Sequence, residues 1–424
     1  MRKSYRKSCV LTREELAEYG IDLPGTEEDP IETLARMGAK LVLMSYVEAE
    51  VTEFLGAGPY ERTPGRRGSR NGTRTRGVSC GSGTVEIDYP KVRDTERPFR
   101  SHVLEAWQRT SRTVASTLPS LYVEGLSTRD FNRALSPLWK GAGLSRSSVS
   151  RANMEIKEAF EKWRRRSLAQ EEVVYLYLDG HYQGVRRGSC EKEAVLVAHG
   201  VTQGGKHVLL GVYLGAHETT EGWKLALQDL VERGLPAPRL VISDGNPGLI
   251  RAVKETWPQV ARQRCIVHRI RNVLARVPKK DQALVRRELN RIFYAPSLEE
   301  ALQAAEAFAR RYQNTYPSAV EVLGKDLSDC LSFFRFPPRH WRRLRTSNAL
   351  ERQFREVRRR TRVIGRFPTE ISALSLIWSV LDQNAPRWRG VLMDQEHLAL
   401  LEAAVQSLSR EPIVVKGFEE LLAA

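Results

Sequence analysis

Three acidic residues, far apart along the chain, occur where a carboxylate could take part in chemistry. Asp179 follows the strand-forming run Val173–Leu178, and Asp244 repeats this arrangement after a second apolar run. A single acid after a strand often only forms a turn, but two in one sheet can meet at the edge where open α/β sheets bind ligands. Glu351 begins a predicted helix, where it could also complete a capping box with Asn348.

Two aspartates and one glutamate supply the hard oxygen ligands that Mg²⁺ or Mn²⁺ prefers. Two such ions can activate water or a 3′-hydroxyl and stabilise the leaving oxygen of a phosphodiester, so no nucleophilic serine or cysteine is required. Helical spacing also places Glu351 on one face with Arg355, Arg358 and Arg362. An acid at the head of an arginine face favours a site beside a phosphate over a cap alone. We expect DNA contacts from Arg355, Arg358, Arg359 and Arg362.

The overall charge points to an anionic partner. The 424 residues include 67 Lys and Arg against 51 Asp and Glu, a formal net charge of +16. Nucleic acid is the commonest partner of a chain this basic, and the alternative is a basic enzyme with an unrelated substrate.

Residues 62–76 contain six arginines and no acid. With so few apolar residues, this stretch predicts a flexible basic arm that follows DNA phosphates, the alternative being a solvated linker. The arginines expected to contact DNA here are Arg66, Arg67, Arg70 and Arg74.

A second DNA-contacting element is predicted at residues 126–151. A helical pattern over 126–135, a glycine turn at 141–143 and a Ser/Arg-rich helix from 144 suit a helix-turn-helix, although any helical hairpin can share this pattern. The predicted DNA contacts are Arg129, Arg146 and Arg151.

The order of predicted elements indicates an α/β core. An amphipathic helix ends near Leu55 and a half-buried strand covers 84–93, both ahead of that core. Further strands are predicted at 173–178, 193–201, 207–214, 239–242 and 263–267, with a helix at 221–232. Residues 268–335 are helical in pattern, and helices follow at 348–364, 369–384 and within the tail 394–424.

The cysteines do not form a disulfide pattern. Five are scattered along the chain, which favours a reducing compartment. Cys265 and His268 make half of a zinc site without a second pair at zinc spacing, so we expect Cys265 in a core strand. His268 is expected to orient a neighbour or to contact DNA. A signal peptide and an apolar run of 18 or more residues are both missing, which predicts a cytoplasmic protein without a membrane span.

Four ordered stretches resemble the Mutator-type transposases of bacterial insertion sequences. They surround Asp179, Asp244, the Cys265–His268 pair and Glu351, and the arginine-rich arm and Gly125–Arg129 are also similar. The resemblance covers about residues 30–390. One departure is Gln353-Phe354, where family members often have Leu-Asn, which puts fine positioning in doubt but leaves the acids intact. The four stretches are 175–186, 241–248, 263–273 and 345–368.

This resemblance implies an RNase H-like mixed-sheet core with a DDE triad of Asp179, Asp244 and Glu351, interrupted by an all-helical insertion and preceded by a mainly helical DNA-binding region. It implies strand cleavage at element ends and 3′-hydroxyl strand transfer, with two Mg²⁺ or Mn²⁺ ions. The expected partners are terminal inverted repeats, target DNA and a second copy of the chain, in a bacterial, nucleoid-associated setting.

The expected domains follow the same scheme. Residues 1–100 carry the arm and a short strand, 101–168 the helix-turn-helix, 169–275 and 341–390 the two parts of the core, 276–340 the insertion, and 391–424 an amphipathic tail. Two other functions stay open: an RNase H-like nuclease or resolvase, and a non-catalytic DNA-binding protein descended from a transposase.

Overall fold

The computed structural model describes residues 30–80, 83–104, 123, 146–184, 193–215, 218–362, 364, 367–385, 390–410 and 413. The chain divides into two compact units, Met1–Glu155 and Ile156–Ala424. Each is described by itself.

The first unit packs one long helix on a β-hairpin. Helix α1 covers Pro30–Leu55, strand β1 covers Ser69–Cys80, and strand β2 covers Gly83–Arg93. The two strands are antiparallel. The alternating pattern of β2 faces Val85, Ile87 and Tyr89 into a core that also holds Val47 of α1, as a half-buried strand should. The predicted helix and strand are both confirmed.

The arginine-rich stretch is not a flexible arm from Ser69 onward. Strand β1 contains Arg70, Arg74 and Arg76 and pairs with β2 through to Cys80. The physical reason is that β2 has one apolar face and unpaired backbone groups, and backbone hydrogen bonds to a partner strand do not depend on that partner's side chains. Residues 69–77 of β1 are exposed or half-buried, which agrees with the low apolar content of this strand.

The second unit contains a mixed five-stranded sheet. After helix α2 (Arg146–Arg164), β3 (Val173–Gln183), β4 (Glu193–Thr202) and β5 (His207–Gly215) form an antiparallel meander. Strands β6 (Leu240–Ser243) and β7 (Ala261–Arg264) continue the sheet in parallel with β3. The order across the sheet is β5-β4-β3-β6-β7.

Two strand ends differ from the sequence-based prediction. Strand β3 does not end at Asp179 but continues to Gln183, because β4 pairs with it along its whole length. The fifth strand ends at Arg264, and Cys265 is the N-cap of a helix that begins at Ile266. The apolar residues after Cys265 repeat at helical spacing, and Ile266, Ile270 and Val273 are buried on one face.

Helices α3 (Thr220–Glu232) and α4 (Pro247–Thr256) cover one face of the sheet. Thr219 caps α3 and Asn246 caps α4, each through a side-chain oxygen that accepts backbone N–H bonds. Trp223 is 1% exposed in the core that these helices form with the strands.

The remaining chain is helical, as predicted for 268–335. Short 3₁₀ helices cover Ser332–Arg335 and Pro338–His340. The sheet and helices together make a mixed α/β protein. In the part of the chain described, no helix is both long and apolar enough to cross a membrane. The α-helices are α5 (Ile266–Leu274), α6 (Gln282–Phe293), α7 (Leu298–Tyr312), α8 (Pro317–Gly324), α9 (Leu327–Leu331), α10 (Trp341–Leu344), α11 (Asn348–Thr361), α12 (Glu370–Asn384) and α13 (Gln395–Arg410).

Candidate acidic site and its arginine helix

Asp179 lies in β3, and Asp244 directly follows the neighbouring parallel strand β6. The register pairs Leu178 of β3 with Ser243 of β6, and each aspartate is the next residue along its chain. Parallel neighbours advance in the same direction, so both carboxylates arrive at the same level of the sheet. The convergence expected from the sequence therefore arises from strand register, although Asp179 lies within its strand and not at its end.

Asp179 is the most buried of the three acids, at 7% exposed. Burial raises the pKa of its carboxyl group well above the usual value, and the nearby Asp244 and Glu351 carboxylates raise it further. A hydrogen bond from the Gly180 N–H, at 2.9 Å from Oδ1, and the nearby His268 act in the opposite direction. The three acids are thus close enough to interact electrostatically around Asp179.

Glu351 lies in the first turn of α11, but not in a capping box. The helix has Ser347 at its N-cap, without a side-chain cap bond, and Asn348 is already helical. The alternative role for Glu351, a reciprocal cap with Asn348, is therefore wrong, because the cap falls one residue earlier. Its Oε1 is buried and accepts no hydrogen bond from the described residues. That oxygen therefore keeps the capacity to accept a hydrogen bond or to bind a cation.

His268 stands between Glu351 and Cys265. Its Nε2 is 3.6 Å from Glu351 Oε1, an ion pair when the imidazole is protonated. A hydrogen bond with the Cys265 thiol raises the pKa of His268 against the effect of burial, and Glu351 and Asp244 add to the increase. The expectation that His268 orients a neighbour agrees with this placement beside Glu351.

Cys265 is buried, as expected, but at a helix N-cap and not in a strand. Burial would raise the pKa of its thiol, yet hydrogen bonds with His268 and Ser347 outweigh burial and lower that pKa. One ligand atom each from Cys265, His268 and Glu351 lie within 4.8 Å of one another. These residues form a second possible ligand set that shares Glu351 with the aspartates.

Two of the predicted DNA-binding arginines border the acids. A cavity of about 520 Å³ is lined by Asp179, Glu351 and His268 together with Arg355 and Arg358 of α11. A cavity lined by both carboxylates and guanidinium groups suits a phosphodiester. Arg359 and Arg362, on the same helix, do not line it, and Arg359 instead donates to Glu356.

The predicted contacts in the first unit have other partners. Arg66 donates to the carbonyls of Gly68 and Glu61, and Arg67 to that of Glu53. Arg70 binds the side chains of Glu48 and Thr52 and the carbonyl of Ala57, so it holds the hairpin to α1 and is not free for DNA. Arg74 lies over the ring of Tyr89, 5.2 Å from its centre, and is exposed.

The helix-turn-helix lies mostly outside the described residues, and Arg129 with it. Helix α2 begins at Arg146, where the second helix of the pair was expected. The backbone of Arg146 and Arg151 is helical, and their side chains lie outside the described part.

Sequence reasoning missed a fourth carboxylate, Glu218. Its Oε2 accepts a 3.2 Å hydrogen bond from the Asn246 side chain, and burial followed by the nearby Asp244 raises the pKa of its carboxyl group. A Cβ on Gly180 would lie 2.3 Å from Glu218 Oε1, so glycine is needed beside Asp179 for this carboxylate to approach. The available signal was Gly180 within a strand, which often marks a close approach.

His181 and Phe354 were also not assigned. His181 is 6% exposed, and burial followed by the nearby Arg358 lowers its pKa to about 4, so the ring is neutral at pH 7. Its ring stacks on Phe354, with centres 5.3 Å apart. Phe354 also lines the 520 Å³ cavity, so the position that departs from the family's usual Leu-Asn touches the site itself.

Comparison with known proteins places this chain in a family. The profile described as "Transposase, Mutator family" matches residues 22–390. The chain is similar to the transposase for insertion sequence element ISRM5 of Rhizobium meliloti (strain 1021), 35% identical over 374 residues, which are 86% of this chain and 93% of the relative.

Two further relatives have the same kind of name. The transposase for IS6120 of Mycolicibacterium smegmatis is 36% identical over 292 residues, covering 69% of this chain and 90% of the relative. The transposase for IS256 in transposon Tn4001 of Staphylococcus aureus is 32% identical over 354 residues, covering 82% and 89%. The chain therefore belongs to the Mutator family of transposases, which confirms the resemblance carried by its four ordered stretches.

Proposed function

We propose that this protein is a DDE-type transposase that cleaves DNA at the ends of its element and joins the freed 3′-hydroxyl to target DNA. The observation that carries the proposal has two parts: the Asp244 and Glu351 carboxylates both raise the pKa of the buried Asp179, and Asp179 and Glu351 line one cavity with Arg355 and Arg358. Membership of a family of transposases supports the reaction class.

The three acids fit a pair of divalent cations. Burial and two neighbouring carboxylates raise the pKa of Asp179, which is the signature of clustered negative charge that a cation would relieve. Glu351 Oε1, buried without a hydrogen bond from the described residues, is an open ligand position. Bound Mg²⁺ or Mn²⁺ would supply activation of the attacking oxygen and stabilisation of the leaving oxygen.

The chain's own groups have separate roles around these ligands. Arg355 and Arg358 bind and orient the phosphodiester in the cavity that they line together with Asp179. His268 positions the Glu351 carboxylate relative to the aspartates, since the imidazole ring lies beside both Glu351 and Cys265. Glu218 orients the loop after β6 through Asn246, whose backbone N–H also donates to Asp244 Oδ1 at 3.0 Å.

The mixed sheet supports an RNase H-like core. Three antiparallel strands followed by two parallel ones place Asp179 on β3 and Asp244 directly after the adjacent β6, and helices α6 to α9 lie between β7 and the helix that carries Glu351. We propose this helical block, residues 276–340, as the insertion within a core formed by 169–275 and 341–390. Residues 1–100 and 101–168 would bind the terminal inverted repeats, and a homodimer would bring two ends together.

The test uses isosteric variants that remove charge and keep shape. Three variants are compared with the parent protein: Asp179→Asn, Asp244→Asn and Glu351→Gln. Each should cleave a duplex carrying the element's end more than about 100-fold more slowly, a greater loss of activity than is typical when a residue that only supports the metal ligands is replaced. End binding should remain, because the variants keep the arginines. The element's ends are identified from inverted repeats that flank the coding sequence.

Glu356→Gln is the matched control. Glu356 lies on the same helix and pairs with Arg359 away from the cavity, so its loss should leave cleavage unchanged. Parental cleavage by any of the three site variants would refute the triad. Cleavage without strand transfer into a target plasmid would favour a nuclease or resolvase instead.

A zinc site is the alternative that the Cys265–His268–Glu351 set favours, since thiolate and imidazole suit zinc. We propose instead that Cys265 acts through His268. Cys265→Ser should keep Mn²⁺-dependent cleavage within about 100-fold of the parent. Stoichiometric zinc in the purified protein, lost in this variant together with all cleavage, would support the alternative.

A further inference from the structure

A large basic cavity lies next to the candidate acidic site and has no role in the reaction described so far. It measures about 940 Å³ and opens between α4, α5 and the end of α8. Its volume is at the upper end of the range for ligand pockets. The lining residues that matter here are Gly245, Arg251, Arg264, Arg269, Lys325 and Asp326.

The walls of this basic cavity are strongly cationic. Six Lys or Arg residues and two acids line it, a formal balance of +4. Both acids are already engaged, because Glu255 pairs with Lys224 at 2.7 Å and Asp326 pairs with Arg264 and Arg269. Positive charge is therefore left over for a ligand.

Asp326 holds two arginine side chains in place in one wall of the basic cavity. It accepts hydrogen bonds from both Arg264 and Arg269, and Arg269 also donates to the carbonyl of Val322. The Arg269 side chain is only 2% exposed. Its Nε has no hydrogen-bond partner among the described residues, and the same is true of Arg264 Nε. Two guanidinium groups share one carboxylate, so this wall keeps a net positive charge.

Two further cations line the basic cavity. Arg251 belongs to α4 and Lys325 follows α8, and both are exposed. In the described part of the chain, neither forms an ion pair. Because they come from different elements, they can contact an extended anion at two separate points.

The basic cavity adjoins Asp244 through the backbone. Gly245, the next residue, lines the cavity with a φ of +90°, a conformation that favours glycine. A Cβ there would lie 2.3 Å from Arg264 Nε, so the guanidinium group crosses directly over this peptide. A polyanion bound at Asp244 can therefore continue into the cavity.

We propose that this basic cavity binds the phosphate backbone of the DNA strand that continues beyond the bond cleaved at Asp244. The inference rests on the proposed function, since it takes Asp244 as part of the reacting site. The residues that line the cavity include no aromatic side chain. Aromatic side chains are the usual platforms for base stacking, and the cavity offers cations instead, so the chemistry that it suits best is the backbone phosphate.

The test measures the salt dependence of DNA binding in EDTA, where no cleavage occurs. The full-length protein is titrated into a fluorescein-labelled 40-base-pair duplex over a KCl series, and anisotropy gives the binding constant. Arg251→Gln with Lys325→Gln removes two cations, and Arg251→Glu with Lys325→Glu reverses them. Each phosphate contact contributes about 0.9 to the slope of log K against log salt, so both double variants should lower its magnitude by about 2.

The matched control changes the same charge elsewhere on this unit. Arg286 and Arg287 are exposed on α6 and do not line the basic cavity. Arg286→Gln with Arg287→Gln, and the corresponding pair of glutamates, should leave the slope unchanged. An equal reduction in cavity and control variants would mean a general charge effect and would overturn the proposal.

A free nucleotide is the other source of the same phosphate chemistry. Deoxyadenosine monophosphate serves as the probe: millimolar concentrations should not compete with the duplex, because a single phosphate makes few of these contacts. Competition by the mononucleotide that disappears in Arg251→Gln with Lys325→Gln, while the DNA slope stays the same, would overturn the proposal.

The measurement is independent of the acidic site. An unchanged slope together with loss of cleavage in Asp179→Asn, Asp244→Asn and Glu351→Gln refutes the cavity proposal alone. A reduced slope together with parental cleavage in those three variants refutes the proposed triad and leaves a DNA-binding cavity.

Discussion

At the scale of single residues, the site depends on placing like charges together in a partly buried space. Asp179 is 7% exposed and its pKa is raised first by burial and then by Asp244 and Glu351. Glu218 is subject to the same two influences, burial and then Asp244. Such an arrangement is unfavourable by itself, and clustered carboxylates of this kind occur where a cation or a reacting group is bound.

Gly180 and Glu218 can be tested as a pair. In Gly180→Ala the new methyl group would meet the Glu218 carboxylate at 2.3 Å, so that side chain must move away from Asn246 and Asp244. We expect a loss of about 1 kcal/mol in the free energy of unfolding and a lower rate of cleavage. Denaturant unfolding measures the first quantity.

The control is the same substitution in a Glu218→Ala background. Without the long side chain there is nothing to displace, so Gly180→Ala should then cost almost no stability, and the coupling between the two sites should account for most of the single-variant loss. Purely additive effects would show that the glycine is not there to accommodate Glu218.

At the scale of elements, the β4–β5 hairpin contains a buried histidine pair. His199 Nε2 lies 3.0 Å from His207 Nδ1, and burial, followed by the effect of His207, lowers the pKa of His199 well below its usual value. Above pH 6.5 His199 is neutral in both the folded and unfolded states, and its full contribution to stability is present. As the pH falls below 6.5 the unfolded chain takes up the proton first, and stability is lost.

The free energy of unfolding should therefore decrease by about 1.4 kcal/mol per pH unit per such group below pH 6.5. His181, whose pKa is lowered to about 4, acts with the same sign. In His199→Gln, the free energy of unfolding should decrease less steeply between pH 6.5 and 5, by the contribution of one such group. Urea unfolding at several pH values measures it, and an identical slope in the variant would contradict the assignment.

The hairpin of the first unit makes a second prediction at this scale. Arg70 joins β1 to Glu48, Thr52 and Ala57. We therefore expect Arg70→Gln to lower the free energy of unfolding of that unit by about 1–2 kcal/mol, a figure kept small because the Arg70–Glu48 ion pair is partly exposed to solvent. Arg74→Gln, which removes only a contact with the Tyr89 ring, should cost less than about 1 kcal/mol. Hydrogen exchange over residues 30–104 reports both changes, and equal protection losses would argue against the structural role of Arg70.

The same elements show what the sequence could predict. Alternation in β2 and the apolar runs of β3 to β6 are local signals, and the structure has a strand at each of these places. Strand β1 has no such signal, because its pairing is determined by the apolar face of β2 and not by its own residues. Glu218 was missed for a related reason, since its proximity to Gly180 depends on tertiary packing.

Residues that only the fold brings together explain the rest of the site. Asp179 and Asp244 could be paired from their similar contexts, but the Leu178–Ser243 register that aligns them is a property of the sheet. Cys265 was expected in a strand, because Ile266 and Val267 favour strands locally and only the longer helical periodicity decides otherwise. The contact of His181 with Phe354 links β3 to α11 and carries no local signature.

At the scale of the whole molecule, the basic residues behind the net charge of +16 have several different roles. Some arginines hold the protein together, such as Arg70 and Arg269, and others line the two cavities beside the acids. The charge alone therefore overstates how many cations are available to DNA. The salt dependence of binding counts those that do contact phosphates.

The central claim is that Asp179, Asp244 and Glu351 together hold two divalent cations. Calorimetric titration of Mn²⁺ into the full-length protein with duplex DNA should give about two ions per chain. Asp179→Asn, Asp244→Asn and Glu351→Gln should each lose at least one of them, and Glu356→Gln should keep both. Binding of both ions by Glu351→Gln with the affinity of the parent protein would contradict the claim.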